Sequence, residues 1–305
     1  MQGDISMSES SDPAVRKAVI PAAGMGTRLL PATKSQPKEM LPVGRKPVIQ
    51  YVMEEIAAAD IRQALIVTSQ QKRAIEDHFD ADAAFAERLS APPDPLASQN
   101  RLWTEMQLFY TRQSVPKGLG DAIGMAEHFV GGEPFLVSLG DSIIRSPVPG
   151  EALRRLIKTH ERERAAATIL FETVAPEDVV QYGIAQPKGE PGAEFAVEDL
   201  VEKPSAAEAP STLAVAARYV FDPVIFDYIR QTPPGRGGEI QITDSMRWML
   251  RDGRRIWGVQ LGEAERRLDI GNHKSYFQAF FELSLADPEL GPSFRDYVSR
   301  RLAET

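Results

Sequence analysis

Cysteine is absent from all 305 residues, and histidine occurs only four times. The first absence excludes disulfides, thiolate nucleophiles and Cys-based zinc sites, and it fits a reducing compartment. The second leaves little material for imidazole acid–base work, and no Ser/His/Asp grouping is recognisable. No stretch reaches the roughly 18 consecutive apolar residues that a membrane span requires. A surplus of positive charge is missing too: 35 Lys and Arg stand against 43 Asp and Glu, a formal net charge of −8. That balance argues against the basic face that nucleic acid needs, so neither nucleic acid nor membrane is an expected partner. Local basic spots can still hold small anions, and a phosphate ligand remains allowed. Residues 1–14, MQGDISMSESSDPA, are polar and acidic, the reverse of a signal peptide. They read as a loose tail, with the cytoplasm as the expected location.

What is present is an alternation of short apolar runs and amphipathic stretches. Lys17 to Ala23 reads as a buried parallel strand running into a glycine-rich turn, Gly24-Met-Gly26-Thr-Arg28. A helix is expected over Val48 to Ala59, with Val48, Tyr51, Val52, Glu55 and Ile56 on its inner face. A strand over Ala64 to Thr68 and a helix starting near Gln71 follow. This order, strand, turn, helix, strand, helix, is that of a doubly wound α/β sheet. Residues 80–104 break the rhythm. A helix over Ala83 to Leu89 and the proline-rich Ser90 to Leu96 read there as a surface insertion. Further strands are expected over Met106–Thr111, Pro134–Leu139, Ala166–Glu172, Phe195–Val201 and Thr212–Ala217, with helices over Gly120–Phe129 and Glu151–Glu163. After Asp222 the chain reads as helical, and residues 274–304 as two helices broken at Asp287-Pro288.

The turn after the first strand bears on function. Small residues there let backbone N–H groups approach a phosphate closely. A Walker loop is absent, and a dinucleotide fingerprint fails because Leu29 stands where the third glycine is needed. Arg28, Lys34 and Lys38 fall within eleven residues, threaded by Pro31, Pro37 and Pro42. Proline restricts the backbone, so this is a stiff cationic loop, suited to holding a triphosphate or equally to lying solvated on the surface.

The string Ala22-Ala23-Gly24-Met-Gly26-Thr27-Arg28-Leu-Leu-Pro-Ala-Thr-Lys-Ser-Gln-Pro-Lys38-Glu39-Met-Leu-Pro42 resembles the signature of bacterial UTP–glucose-1-phosphate uridylyltransferases. Its first half is shared by sugar-nucleotide pyrophosphorylases generally. Further resemblance extends from about Arg16 to Leu285. It implies a single-domain Rossmann-like nucleotidyltransferase fold, with a doubly wound, mixed, mainly parallel sheet. A tail would span residues 1–14, the catalytic domain 15–273, and C-terminal helices with a possible oligomer contact 274–305. By the same resemblance, Ala22, Ala23, Gly24, Gly26, Thr27 and Glu39 bind nucleotide, and Gln113 and Gly118 in Arg112-Gln-Ser-Val-Pro-Lys-Gly-Leu-Gly-Asp-Ala122 read the uracil edge. An amide offers both a donor and an acceptor, so Gln suits that task. Asp141, ending Ser138-Leu-Gly-Asp, and Asp269, in Arg267-Leu-Asp-Ile-Gly-Asn272, would hold Mg2+. Glu202 and Lys203 would take the sugar hydroxyls and phosphate, with Gly183 against the sugar ring and Glu239 near the sugar pocket.

The resemblance implies transfer of a uridylyl group from UTP to glucose 1-phosphate by in-line attack at the α-phosphorus, releasing pyrophosphate. Arg28 and Lys38 would neutralise the triphosphate and Lys203 would hold the attacking phosphate. That phosphate is ionised near neutral pH, so no general base is required. The family is often oligomeric, implying a homo-oligomer, dimer or tetramer. The aromatic run Tyr276, Phe277, Phe280, Phe281 and Leu283 suits either a subunit interface or packing on the catalytic domain. Several positions depart from the family's pattern: Arg45 replaces an acidic residue, Asp121 stands where His is common, Ser142 where Asp is frequent, Leu268 where Tyr is usual, and His273 where Lys is common. Alternatives left open are a related enzyme using dTTP or galactose 1-phosphate, and a non-catalytic regulatory paralogue.

Overall fold

A computed structural model describes residues 15–80 and 105–304. The expected tail and the helix over Ala83 to Leu89 with its proline-rich loop lie outside the described residues. In chain order the first elements are β1 (Lys17–Pro21), a tight hairpin of β2 (Pro42–Val43) and β3 (Lys46–Pro47), α1 (Val48–Ala58), β4 (Gln63–Thr68), α2 (Arg73–Phe79) and β5 (Gln107–Arg112). The middle contains α3 (Leu119–Gly124), α4 (Glu127–Val130), β6 (Phe135–Ser138), β7 (Ser142–Arg145), α5 (Glu151–Glu163), β8 (Ala167–Thr173), β9 (Gly183–Pro187), β10 (Glu194–Glu202) and β11 (Leu213–Phe221). The remainder is α6 (Ile225–Gln231), α7 (Ile242–Arg251), β12 (Ile256–Gln260), β13 (Arg266–Asp269), α8 (His273–Leu285) and α9 (Gly291–Ala303).

Nine strands form one sheet in the order β5-β4-β1-β6-β11-β8-β12-β10-β9. Seven run in one direction, and only β11 and β10 run against them. The mixed, mainly parallel α/β architecture is therefore as expected. Beyond β6 the sheet curls, because β9 pairs both with β10 and with the upper part of β11, at Ala214↔Ile184. The ring β11–β8–β12–β10–β9 thus closes on itself. Alternation along β1 builds the two faces: Val19 enters the core shared with α3, α6 and α7, whereas Ala18 and Ile20 enter the core shared with α1, α2 and α5. Each side of the sheet is covered, which is why its central strands read as continuous apolar runs.

Several expectations need correction. The helix over Gly120–Phe129 is two short helices, broken around Met125 and Ala126. The strand expected to stop at Ala217 runs on to Phe221, passing through a register shift where Ala217 takes a left-handed φ of 59°. That irregularity lets β11 serve β6 below it and β9 above it. The region after Asp222 is not all helical: β12 joins the main sheet and β13 pairs with β7. The terminal helices do break at Asp287-Pro288, and α8 packs Ala279, Tyr276 and Leu283 against a third core cluster containing Val43, Ile143 and Leu268. Arg45 clamps this end. Its Nε and Nη2 donate to the two Asp287 oxygens at 2.7 and 3.0 Å, and Nη1 to Glu289 at 2.9 Å. Phe277 remains 65% exposed on the outer face of α8. No described helix is long and apolar enough to cross a membrane.

His160 on α5 is buried against β8, with Nδ1 3.1 Å from the Thr168 hydroxyl. Burial pushes its pKa down to about 4, outweighing the opposing pull of Asp222. Between that value and about 6.5 only the unfolded chain binds this proton, so stability must rise with pH across the interval. Urea unfolding should therefore show a loss of roughly 3 kcal/mol attributable to this group as pH falls from about 6.5 to 4. The His160→Gln variant should have a flatter profile over that window; an identical slope would rule His160 out as the cause.

Candidate active site

In an open α/β sheet the strand carboxyl ends are where ligands gather, and here β1, β4, β5 and β6 deliver most of the expected site. Ala22 continues β1 through an N–H bond to Val67 O at 2.8 Å, after which Ala23, Gly24 and Met25 leave the sheet. Gly26 adopts φ 65°, and the Thr33 hydroxyl ties its carbonyl at 2.8 Å. These contacts and three short 3-10 turns, at Thr27–Leu29, Ala32–Lys34 and Lys38–Met40, fold the proline-threaded loop back onto the strand ends. Lys38 arrives with its ammonium against Asp141 Oδ2, just past β6. Space is tight there: a Cβ on Gly24 would lie 3.6 Å from Lys38 Nζ, and one on Gly140 would lie 3.4 Å from Glu39 Cγ and 3.5 Å from Ala22 Cβ.

Beneath this contact lies a second ion pair that sequence reasoning missed. Lys72, capping the start of α2, donates to Glu39 at 2.6 Å, and both residues are almost wholly buried. Burial raises the Glu39 pKa despite Lys72 and lowers that of Lys72 despite Glu39. Burial works against the Lys38 charge too, but Asp141, Glu39 and Asp269 outweigh it and hold the pKa above the ordinary lysine value. Asp141 shows the mirror effect: burial would raise its pKa, yet Lys38 keeps it below the usual range.

The second aspartate is brought in by β13. Asp269 stands opposite Ser142 in the β7–β13 ladder, and Ile270 N–H donates to Asp141 O at 3.1 Å, so the two carboxylates are neighbours. Burial raises the Asp269 pKa, and the negative charge of Asp141 adds to the rise against Arg267, Lys38 and Arg28. Arg28 is exposed and joins this cluster through its charge. Arg267 pairs with Glu172, lies 3.7 Å from Asp269 Oδ1, and stacks on Tyr182 at 4.4 Å from the ring centroid.

Two further groups complete the expected set. The first is a cavity of about 260 Å3 lined by Ala23, Gly24, Lys38, Gln113, Gly118 and Asp141, among others. Gln113 follows β5 and is 4% exposed. Gly118, at φ 101°, lies so close to the chain at Glu239 and Ile240 that a Cβ would sit 2.8 Å from Glu239 Cβ, hence the need for glycine. In the second group Glu202 is held between Thr243 Oγ1 at 2.8 Å and Lys203 Nζ at 3.1 Å. Gly183 completes this group: its added Cβ would stand 3.3 Å from both Glu202 Oε2 and Thr243 Oγ1. Lys203 itself sits at φ 46°, a backbone conformation retained in non-glycine residues when its surroundings enforce it.

A family model described as Nucleotidyl transferase matches residues 17–284. The UTP–glucose-1-phosphate uridylyltransferase YngB of Bacillus subtilis (strain 168) is 44% identical over 286 residues, 93% of this chain and 94% of its own. This chain belongs to the nucleotidyl transferase family, in its UTP–glucose-1-phosphate uridylyltransferase branch. Among solved structures, a UDP-glucose pyrophosphorylase complexed with UDP-glucose is similar with a TM-score of 0.80 at 36% identity, over 88% of this chain and 98% of that one. The UTP-bound UGPase from Acinetobacter baumannii gives 0.82 at 33% identity, over 93% and 98%.

Of the expected residues, Ala23, Gly24, Lys38, Glu39, Gln113, Gly118, Asp141 and Glu239 line one cavity. Glu239, expected near the sugar pocket, lines the cavity beside Gly118 and Gln113, and among the described residues no hydrogen bond or ion pair joins it to Glu202 or Lys203. Leu268 and His273 also find physical accounts. Leu268 faces the core beside Ile143, and His273 Nε2 lies 3.1 Å from Leu30 O, tying α8 to the glycine-rich segment. Removing one partner of a buried ion pair leaves an uncompensated charge, so Lys72→Met should lower unfolding stability by about 3–5 kcal/mol. The double variant Lys72→Met with Glu39→Leu should regain part of it. Urea denaturation checks this, and an unchanged midpoint in the single variant would contradict the pairing.

Proposed function

We propose that this chain transfers the uridylyl group of UTP to glucose 1-phosphate, giving UDP-glucose and pyrophosphate. The observation that supports it most is the continuity of three groups. The cavity lined by Gln113 and Gly118 shares Lys38 and Asp141 with the charge cluster. Asp269 of that cluster neighbours Arg267, which stacks on Tyr182, whose carbonyl accepts from Lys203 N–H beside Glu202. A base, a triphosphate and a sugar phosphate call for those three chemistries. The names of the relatives agree, one a UTP–glucose-1-phosphate uridylyltransferase and another UTP-bound. A non-catalytic paralogue is disfavoured because Lys38, Lys203, Asp141 and Asp269 are all retained.

In this reading an oxygen of the sugar phosphate attacks the α-phosphorus of UTP, the bond to the bridging oxygen breaks, and pyrophosphate leaves with its electron pair. Such a displacement is accelerated by positioning and charge neutralisation. Lys38 and Arg28 neutralise the triphosphate and the departing pyrophosphate. Lys203 holds the attacking phosphate against the like charge of UTP, as a point charge on a flexible stem. Glu202, steadied by Thr243, accepts from the sugar hydroxyls, and the missing side chain of Gly183 leaves room for the ring. Asp141 and Asp269 would hold a divalent cation such as Mg2+. Their mutual repulsion is the electrostatic need such an ion meets, and no third acid or histidine completes a cage among the described residues. Two hard carboxylates suit an ion that keeps phosphate oxygens and water as its other ligands. When bound, it supplies charge neutralisation and a template. Residues 15–273 make up the catalytic domain in this reading and residues 274–305 the C-terminal helices, whose exposed Phe277, Phe280 and Phe281 support a homo-oligomer.

Lys203→Ala should raise KM for glucose 1-phosphate by roughly 10- to 100-fold while KM for UTP stays within about twofold. Chelation by EDTA should abolish turnover and added Mg2+ restore it. Steady-state kinetics read both. Equal changes in the two KM values would remove Lys203 from the sugar-phosphate subsite, and full activity in EDTA would remove the metal.

A further inference from the structure

Asp121, where the family commonly has His, lies directly behind the residue assigned to the base. Gln113 Nε2 donates to Asp121 Oδ2 at 2.5 Å and stands 3.4 Å from Gly118 O. Both partners are acceptors, so the two amide hydrogens point into the protein. Among the described residues nothing donates to Gln113 Oε1, and Gln113 lines the nucleotide cavity whereas Asp121 does not. Resting on the reading above that Gln113 faces the base, we propose that Asp121 is a specificity-determining residue: it locks the Gln113 amide with its oxygen toward the base.

An ionised carboxylate can only accept. Flipping the amide would set Oε1 against Oδ2, two acceptors in a buried place, so Asp121 enforces a single orientation. Histidine cannot, because its ring nitrogens can donate or accept. The locked oxygen is an acceptor presented to the base edge, and uracil offers a matching donor at N3–H between two carbonyls. Cytosine carries an unprotonated N3 at that place and would set acceptor against acceptor, leaving polar groups buried and unpaired. Thymine shares N3–H with uracil, so this lock rejects cytosine and leaves the choice between uracil and thymine to other contacts. Asp121 acts through Gln113 and has no part in the chemistry.

The test compares kcat/KM for UTP and CTP, with glucose 1-phosphate and Mg2+, in the unaltered chain and in Asp121→Asn, Asp121→His and Gln113→Ala. Circular dichroism and melting check folding. A loss of fold or packing lowers both substrates together, whereas loss of the lock changes their ratio. Asp121→Asn should shrink the preference for UTP by about tenfold, through a raised KM for UTP with kcat nearly constant. Asp121→His should do the same and replaces it if the Asn variant does not fold. A ratio that survives both Asp121 substitutions yet collapses in Gln113→Ala would overturn the role of Asp121 alone. A ratio that survives Gln113→Ala as well would overturn the assignment of Gln113 to the base.

Discussion

The contact between Lys38 and Asp141 is the constraint on which the site depends. It joins the proline-threaded loop after β1 to the chain just beyond β6, so the glycine turn, the loop and the neighbouring strand ends form one surface. A lysine brought into so enclosed a place needs an anion, and an aspartate there needs a cation; each satisfies the other. The Glu39–Lys72 pair beneath repeats the arrangement at the next position in sequence. Adjacent residues of the loop, Lys38 and Glu39, thus both line the cavity, and each is tied to the chain beyond a different strand, β6 for one and β4 for the other. Such double anchoring leaves the loop little freedom before any ligand arrives, as preorganised electrostatics requires.

A third buried charge supports the other half of the site. Arg218 is fully buried on β11, donating to Glu55 at 2.6 and 3.1 Å, to Ser142 O at 2.8 Å and to Ala217 O at 3.0 Å. Ser142 is the residue opposite Asp269 in the β7–β13 ladder. The arginine therefore couples α1, the irregularity in β11 and the strand beside Asp141. Glu55, buried against it, has its pKa raised by burial in spite of the Arg218 charge. Breaking such a pair costs more than the pair contributes, because the remaining charge is stranded.

Much of this was legible in the sequence where periodicity or a long motif carried the signal. The inner face of α1 and both ends of α5 follow from apolar spacing, and the loop from Gly24 to Pro42 announces itself by its glycines, prolines and cations. Short elements were not legible. β7 and β13 have four residues each, too few for alternation to stand out, and β9 and β12 were hidden among polar residues. Lys72 gave no sign, since Ser69-Gln-Gln-Lys72-Arg reads as an ordinary solvated helix start; its partner is 33 positions away. Arg267 lay within a motif already noted and Thr243 four residues after Glu239, but their roles depend on Glu202, Glu172 and Tyr182, which the curled part of the sheet brings near. Arg45 and Asp121 stood out as departures, and only the fold shows that one binds the turn after α8 and the other grips an amide.

In the proposed function Gln113 and Gly118 face the uracil, Lys38, Asp141 and Asp269 the triphosphate, and Glu202 and Lys203 the sugar phosphate. The most direct test is pyrophosphate release in Mg2+, with each of four nucleoside triphosphates paired in turn with glucose, galactose, mannose and N-acetylglucosamine 1-phosphates. Rapid release from UTP and glucose 1-phosphate, with UDP-glucose formed in equal amount, is the predicted result. Silence from every pair in demonstrably folded protein, or a best pair lacking UTP, would contradict it.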